Sequence, residues 1–185
     1  SIIMSLKIGK ETYVGRVLDL FDDRNNRLGL NDLKAMDPNK ELCVENPQRK
    51  QTYITCSKII DTIKSNNLAI SANGVMYRTD KKSVLSTILA KWFDEKVEYK
   101  GYMKEAYKSG DVEKGVFWHQ RQHTMKIFLN SLYGATALGS FRYGSVILSE
   151  SITLSGQRII QESALCANRH MNKVIKNEIK LLKNI

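Results

Sequence analysis

Three residues, Ser109-Gly110-Asp111, cut the longest helical pattern in the chain into two arms, and that cut constrains the fold more than any other feature. From Ser83 the sequence keeps a helical period through SVLSTILAKWFDEKVEYKGYMKEAYK. It resumes near Glu113 and runs to Gly139. Two long helices joined by a short glycine-containing turn must lie antiparallel, so residues 80–138 are predicted to form a helical hairpin. Apolar residues recurring at Ile152, Ile159, Ile160, Ala164, Met171, Val174, Ile175 and Ile179 predict a third long helix from about Val146 to Leu182.

The first part of the chain is less regular. Residues 1–20 read as a short helix followed by a strand or helix, and residues 22–51 as the most loop-like stretch, rich in polar and turn residues. TYITCSKIIDTIKSNN fits a strand or a helix. In LAISANGVMYRT, Asn73-Gly74 between two apolar arms predicts a β-hairpin, because a tight turn needs positive φ angles. The expected fold is mainly α with a small β part (α+β). It divides into residues 1–79 with a loop-rich 20–65 insertion, the hairpin 80–138, and 139–185.

Composition narrows the partners. Lys and Arg number 29 against 19 Asp and Glu, a formal net charge of +10 in 185 residues. Such an excess favours nucleic acid, nucleotide phosphates or an anionic surface. Cys43, Cys56 and Cys166 are odd in number and lack C-x-x-C spacing, which argues against a disulfide framework or zinc site. No apolar run reaches the roughly 18 residues of a membrane span. A cytoplasmic location and no membrane partner are expected.

The hairpin carries the chemistry. Lys96, Lys100, Lys104 and Lys108 follow one another at four-residue spacing on the first arm. Like charges at i, i+4 repel unless an anion faces them, although Glu95, Glu98 and Glu105 dilute the row and a solvated face is the bland alternative. On the second arm, Lys126, Asn130, Tyr133 and Gly134 stand at i, i+4, i+7 and i+8, one helical face. With His119 and Gln122 they form a polar stripe among Phe117, Met125, Phe128, Leu129 and Leu132. A triphosphate would partner it: Lys126 as a compact charge, Asn130 as a hydrogen-bonding amide, Tyr133 as a flat packing surface, and Gly134 as a gap for close approach. Core packing for Tyr133, a capping role for Asn130 and a kink at Gly134 would account for each residue singly.

The motif K-x-x-x-N-S-x-Y-G, Lys126 to Gly134, resembles the fingers motif of family B DNA polymerases. SANGVMY (71–77), FDEKVEYKGYM (93–103) and SITLSGQ (151–157) resemble successive landmarks of the same family in the same order, closest to the replicative enzymes of large tailed phages. SIIMSLKIGKETY resembles the chain just after that family's D-x-x-S-L-Y-P stretch. The resemblance implies a DNA-directed DNA polymerase segment: antiparallel fingers flanked by partial palm elements. It implies that Lys96, Lys100, Lys126 and Asn130 contact the triphosphate of an incoming deoxynucleotide (dNTP). Tyr133 and Gly134 would abut the nascent base pair. The partners implied are a DNA primer-template, a dNTP, and the remaining polymerase segments with the exonuclease, first and last palm motifs and thumb.

Two-metal phosphoryl transfer needs carboxylates. The resemblance places the aspartates that bind Mg2+ outside this chain, so no complete catalytic or metal site is expected here and the chain alone is expected to be inactive. Asp19, Asp22 and Asp23 lack the glycine and closing glutamate of a calcium loop and read as a solvated turn. Ser1 is a candidate splice-junction nucleophile, since splicing elements interrupt the family near this junction and require a hydroxyl or thiol there. The alternative function is a non-catalytic basic helical protein that binds nucleic acid through charge alone.

Overall fold

A computed structural model describes residues 1–20 and 29–175. Helix α1 (Ile2–Leu6) leads through a 3-10 turn at Lys10–Thr12 into strand β1 (Tyr13–Val17). Helix α2 (Leu30–Ala35), strands β2 (Glu41–Glu45) and β3 (Gln51–Thr55), and helix α3 (Cys56–Ser65) follow. Strands β4 (Leu68–Ile70) and β5 (Val75–Arg78) form the expected hairpin. All strand pairs are antiparallel, in the order β3-β2-β1-β5-β4. The fold is mainly α with a small β part, as the sequence implies.

Of the loop-like 22–51 stretch and the 20–65 insertion, residues 21–28 lie outside the described residues, and residues 29–65 are more regular than their composition suggests. They supply α2, β2, β3, α3 and most of one core, in which Leu33, Leu42, Cys56, Ile59 and Ile63 are buried. Strand β2 is flanked by β1 and β3, so ladders to distant residues fix it despite its polar neighbours. The turn-forming residues mark a tight β2-β3 connection: Gln48 and Lys50 N–H donate to Asn46 Oδ1 at 3.0 and 2.9 Å. The ambiguous TYITCSKII segment is both things in succession, strand to Thr55 and helix from Cys56.

The alternation of β5 assigns the two sheet faces. Met76 joins the core under α2 and α3, whereas Val75 and Tyr77 join Ile3, Ile8, Leu85, Leu89, Leu132 and Leu148 on the other side. Those last four leucines belong to α4 (Val84–Lys108), α5 (Val112–Thr136) and α6 (Val146–His170). Each is worth roughly 1.5–3 kcal/mol when fully buried, so they root the long helices on the sheet. Farther out, Ala106 and Gly115 are the residues of the pair that are buried.

Capping sets the hairpin's limits. Ser83 Oγ accepts from Ser86 N–H and Asp111 Oδ1 from Lys114 N–H, each at 3.0 Å. Helix α5 ends at Thr136, three residues before the predicted Gly139, where Ser145 N–H takes the Thr136 carbonyl at 2.8 Å. Helix α6 passes into a π turn at Met171–Ile175, and its predicted end at Leu182 lies outside the described residues.

A buried polar network ties the β4-β5 turn to α6. Tyr77 O–H donates to Ser151 Oγ at 2.7 Å, Ser151 donates to Asn73 Oδ1 at 2.9 Å, and Ser71 donates to the same oxygen at 2.6 Å. Ala72 N–H reaches Ser155 Oγ at 3.1 Å. Gly74 has φ 78°, and a Cβ there would stand 2.3 Å from the Val17 carbonyl, so the turn requires glycine. This network fixes the α6 surface that faces the hairpin base.

Candidate functional site

Four ring contacts set the register of the hairpin. The Trp92 and Phe128 ring centroids are 5.6 Å apart, Trp118 meets Tyr99 at 5.5 Å and Tyr102 at 4.8 Å, and Tyr107 covers Gly115. A seam with alternating three- and four-residue steps follows. It runs Gly115, Trp118, Gln122, Met125, Leu129, Leu132 and Thr136 on α5 against Leu85, Leu89, Trp92, Lys96, Tyr99, Met103 and Ala106 on α4. Every one of these residues is buried or half-buried.

The seam divides the hairpin surface into two edges of opposite character. In an antiparallel pair, positions one residue past the seam on each helix share an edge. Phe93, Lys100 and Tyr107 of α4 therefore share one edge with Tyr133, Lys126 and His119 of α5, taken from base to tip. Val97, Lys104, Val116, His123 and Asn130 lie just behind them. These positions hold no Asp or Glu. Lys96 leans the same way, its Nζ 6.0 Å from the centroid of the Phe93 ring.

Glu95, Glu98 and Glu105 occupy the other edge, where Tyr102 O–H donates to Glu98 Oε1 at 2.5 Å and Lys91 lies 4.0 Å from Glu95. The acids expected to dilute the lysine row are thus across the hairpin from it. Among the described residues, Lys96, Lys100, Lys104 and Lys126 have no carboxylate within ion-pair distance. Four neighbouring cations without counter-charge repel one another, and an anion on this edge removes that repulsion.

Lys100, Lys126 and Asn130 are exposed on this edge, and Lys96 is half-buried in the seam. Gln122, expected in the polar stripe, instead lies half-buried in the seam at the level of Tyr99, because the α4 contact consumes its side of the helix. Tyr133 is 40% exposed and its hydroxyl lies 2.6 Å from Thr153 Oγ1 of α6. A Cβ on Gly134 would meet nothing within 4 Å, so the rest of the chain does not require glycine there. Gly101 shares that openness; Gly134 differs in following Tyr133, whose hydroxyl reaches α6. Thr153 falls within SITLSGQ but carries no sequence signal of its own, because its relation to Tyr133 depends on how two helices pack.

Ser1 is exposed beside a largely apolar cleft of about 680 Å³ between α1, β4 and α6, lined by Ile2, Leu30, Ile70, Ile159 and Arg158 among others. Asp19 Oδ2 accepts the Cys43 N–H at 2.9 Å, a structural contact to β2. Asp22 and Asp23 lie outside the described residues. Among the described residues no three His, Cys, Asp or Glu side chains gather closely enough to hold a metal ion. No helix among the described residues is long and apolar enough to cross a membrane.

Residues 35–184 match the family model of DNA polymerase family B. The chain belongs to that family. A DNA-directed DNA polymerase of Escherichia phage RB69 is similar to it, 26% identical over 162 positions that take in 62% of this chain and 18% of the phage protein. This family B chain thus spans less than a fifth of the length of that relative. The family match covers the whole hairpin and α6, including the acid-free edge and the Tyr133-Thr153 contact.

Proposed function

We infer that the chain is the fingers and partial-palm segment of a DNA-directed DNA polymerase. Residues 80–138 are the fingers, and 1–79 and 139–185 are partial palm. The acid-free edge receives the triphosphate of an incoming dNTP through Lys100, Lys126 and Asn130, with Lys96 adding charge from the seam. Tyr133 and Gly134 present a flat ring and an open backbone to the nascent base pair. Primer-template DNA and the remaining polymerase segments are its partners, and aspartates on those segments bind Mg2+. On its own the chain does not catalyse nucleotide transfer.

The segregation of four lysines from Glu95, Glu98 and Glu105 carries this reading. A solvated helix pair has no reason to sort its charges by edge, whereas a polyanion site has. Equilibrium binding of deoxythymidine triphosphate to the purified chain tests it. Lys126→Ala removes a charge-assisted contact worth about 1.5–3 kcal/mol and weakens binding by about tenfold or more. Arg121→Ala, on the other edge, leaves it unchanged; equal losses in both variants would reduce the site to unspecific charge.

A further inference from the structure

The acid-free edge is longer than a triphosphate. Trp92 stands against Phe128, so Lys126 lies level with Asp94 of α4. Lys104 is ten residues nearer the tip, about 15 Å at the helical rise. On the same scale Asn130 lies about 6 Å from Lys126 toward the base and Lys100 about 9 Å toward the tip, so three linked phosphates, about 11 Å long, are already spanned by these three groups and Lys104 lies beyond them. Yet the edge continues outward with the same character: Lys104 and Tyr107 from α4, Val116 and His119 from α5, and no acid among them.

Tyr107 gives this outer part its form. An ideal Cβ on Gly115 would fall 2.5 Å from Tyr107 Cε1, so the missing side chain lets the ring rest against the α5 backbone. The ring is nevertheless 45% exposed. A flat aromatic seated on backbone, open on its outer side and flanked by a lysine without an ion-pair partner, suits a base whose face is free and whose phosphate is near. An unpaired strand offers both together along its length, whereas a duplex buries its base faces by stacking.

We propose that the outer half of the acid-free edge, Lys104, Tyr107, Val116 and His119, binds single-stranded nucleic acid, with a base on Tyr107 and a phosphate on Lys104. The proposal rests on the polymerase reading, in which the unpaired template is the available strand. It adds a second anion subsite to the edge that takes the triphosphate.

Fluorescence anisotropy of a labelled oligothymidylate with the full chain, titrated with salt, tests this, with a duplex of equal length and deoxythymidine triphosphate as parallel ligands. The single strand should bind more tightly than the duplex. Tyr107→Ala should weaken strand binding by about fivefold or more, the loss of one stacked base. Lys104→Ala, a change at an exposed position, should lower the slope of log affinity against log salt by about 0.7. Both variants should bind the triphosphate within twofold of the parent, while Lys126→Ala should act mainly on the triphosphate. Strand binding affected no more by these two changes than by Arg121→Ala, or a preference for the duplex, overturns the proposal. If the strand effects appear but Lys126→Ala leaves triphosphate binding intact, the triphosphate assignment fails and the strand subsite stands.

Discussion

The Tyr133 hydroxyl donates to Thr153 Oγ1 across 2.6 Å, because the Thr153 hydroxyl itself donates to the Ser149 carbonyl at 3.0 Å. The ring proposed to meet the nascent base pair is therefore held by α6, not by the opposing arm of the hairpin. Tyr133→Phe and Thr153→Val should each cost no more than about 1.5 kcal/mol, with a coupling of about 0.5 kcal/mol or more in the double-mutant cycle. Thr153→Ser, which keeps the acceptor, should restore most of the coupling. Urea denaturation of the four chains measures it, and additive losses would mean that the contact is not formed in solution.

Two glycines on one helix should respond oppositely to alanine. At Gly115 the new Cβ collides with the rigid Tyr107 ring, and overpacking costs about 1–3 kcal/mol, more than the roughly 1 kcal/mol gained in helix propensity. At Gly134 nothing is in the way, so the propensity gain should appear almost whole. Thermal unfolding should thus fall for Gly115→Ala and rise for Gly134→Ala. If Gly134 serves base-pair approach, the more stable variant should also incorporate nucleotides more slowly in an assembled polymerase.

Removing the Ser151 hydroxyl should be costly for its size. Ser151→Ala leaves the buried Tyr77 O–H without its acceptor, an unsatisfied group worth about 1–3 kcal/mol. Because Tyr77→Phe removes that donor, the double variant should lose less than the sum of the two single losses. A chemical denaturation series distinguishes this from simple additivity.

Alkaline pH should weaken the same region. Burial pushes the Tyr77 hydroxyl well above the usual tyrosine range, and the hydrogen bond to Ser151 offsets only part of that. The folded state then holds its proton more tightly than the unfolded chain does. Its contribution is complete below the unfolded value of about 10 and is lost progressively as the pH rises above it. Stability measured from neutral pH upward should fall beyond about pH 10, and Tyr77→Phe should flatten that decline.

The hairpin, α6 and the β4-β5 turn were legible because their signals are local: long periodic runs, capping residues, and one Asn-Gly pair. Strand β2 was not, since Glu41–Glu45 becomes a strand only through partners far along the chain. The stripe from Lys126 to Gly134 could be read from helical geometry, but the placement of Gln122 could not without noticing that Gly115, Trp118, Gln122, Met125 and Leu129 repeat as a two-helix seam. The separation of Glu95, Glu98 and Glu105 from the lysines needed the register of the second helix, which rests on ring contacts that neither arm reveals alone.

Leu85, Leu89 and Leu132 hold the hairpin to the rest of the molecule near one end, and the outer turns of α4 and α5 lean chiefly on each other. Such a beam, clamped at its foot and about 37 Å long at the helical rise, converts a small tilt into a large sweep: ten degrees at the leucines carries Gly110 through about 6 Å. Tyr133, close to the pivot, hardly travels, whereas Lys104 and Tyr107 swing through most of the arc. On the proposed reading, the ring that meets the base pair thus sits where a tilt moves it least, and the outer anion-binding edge where a tilt moves it most.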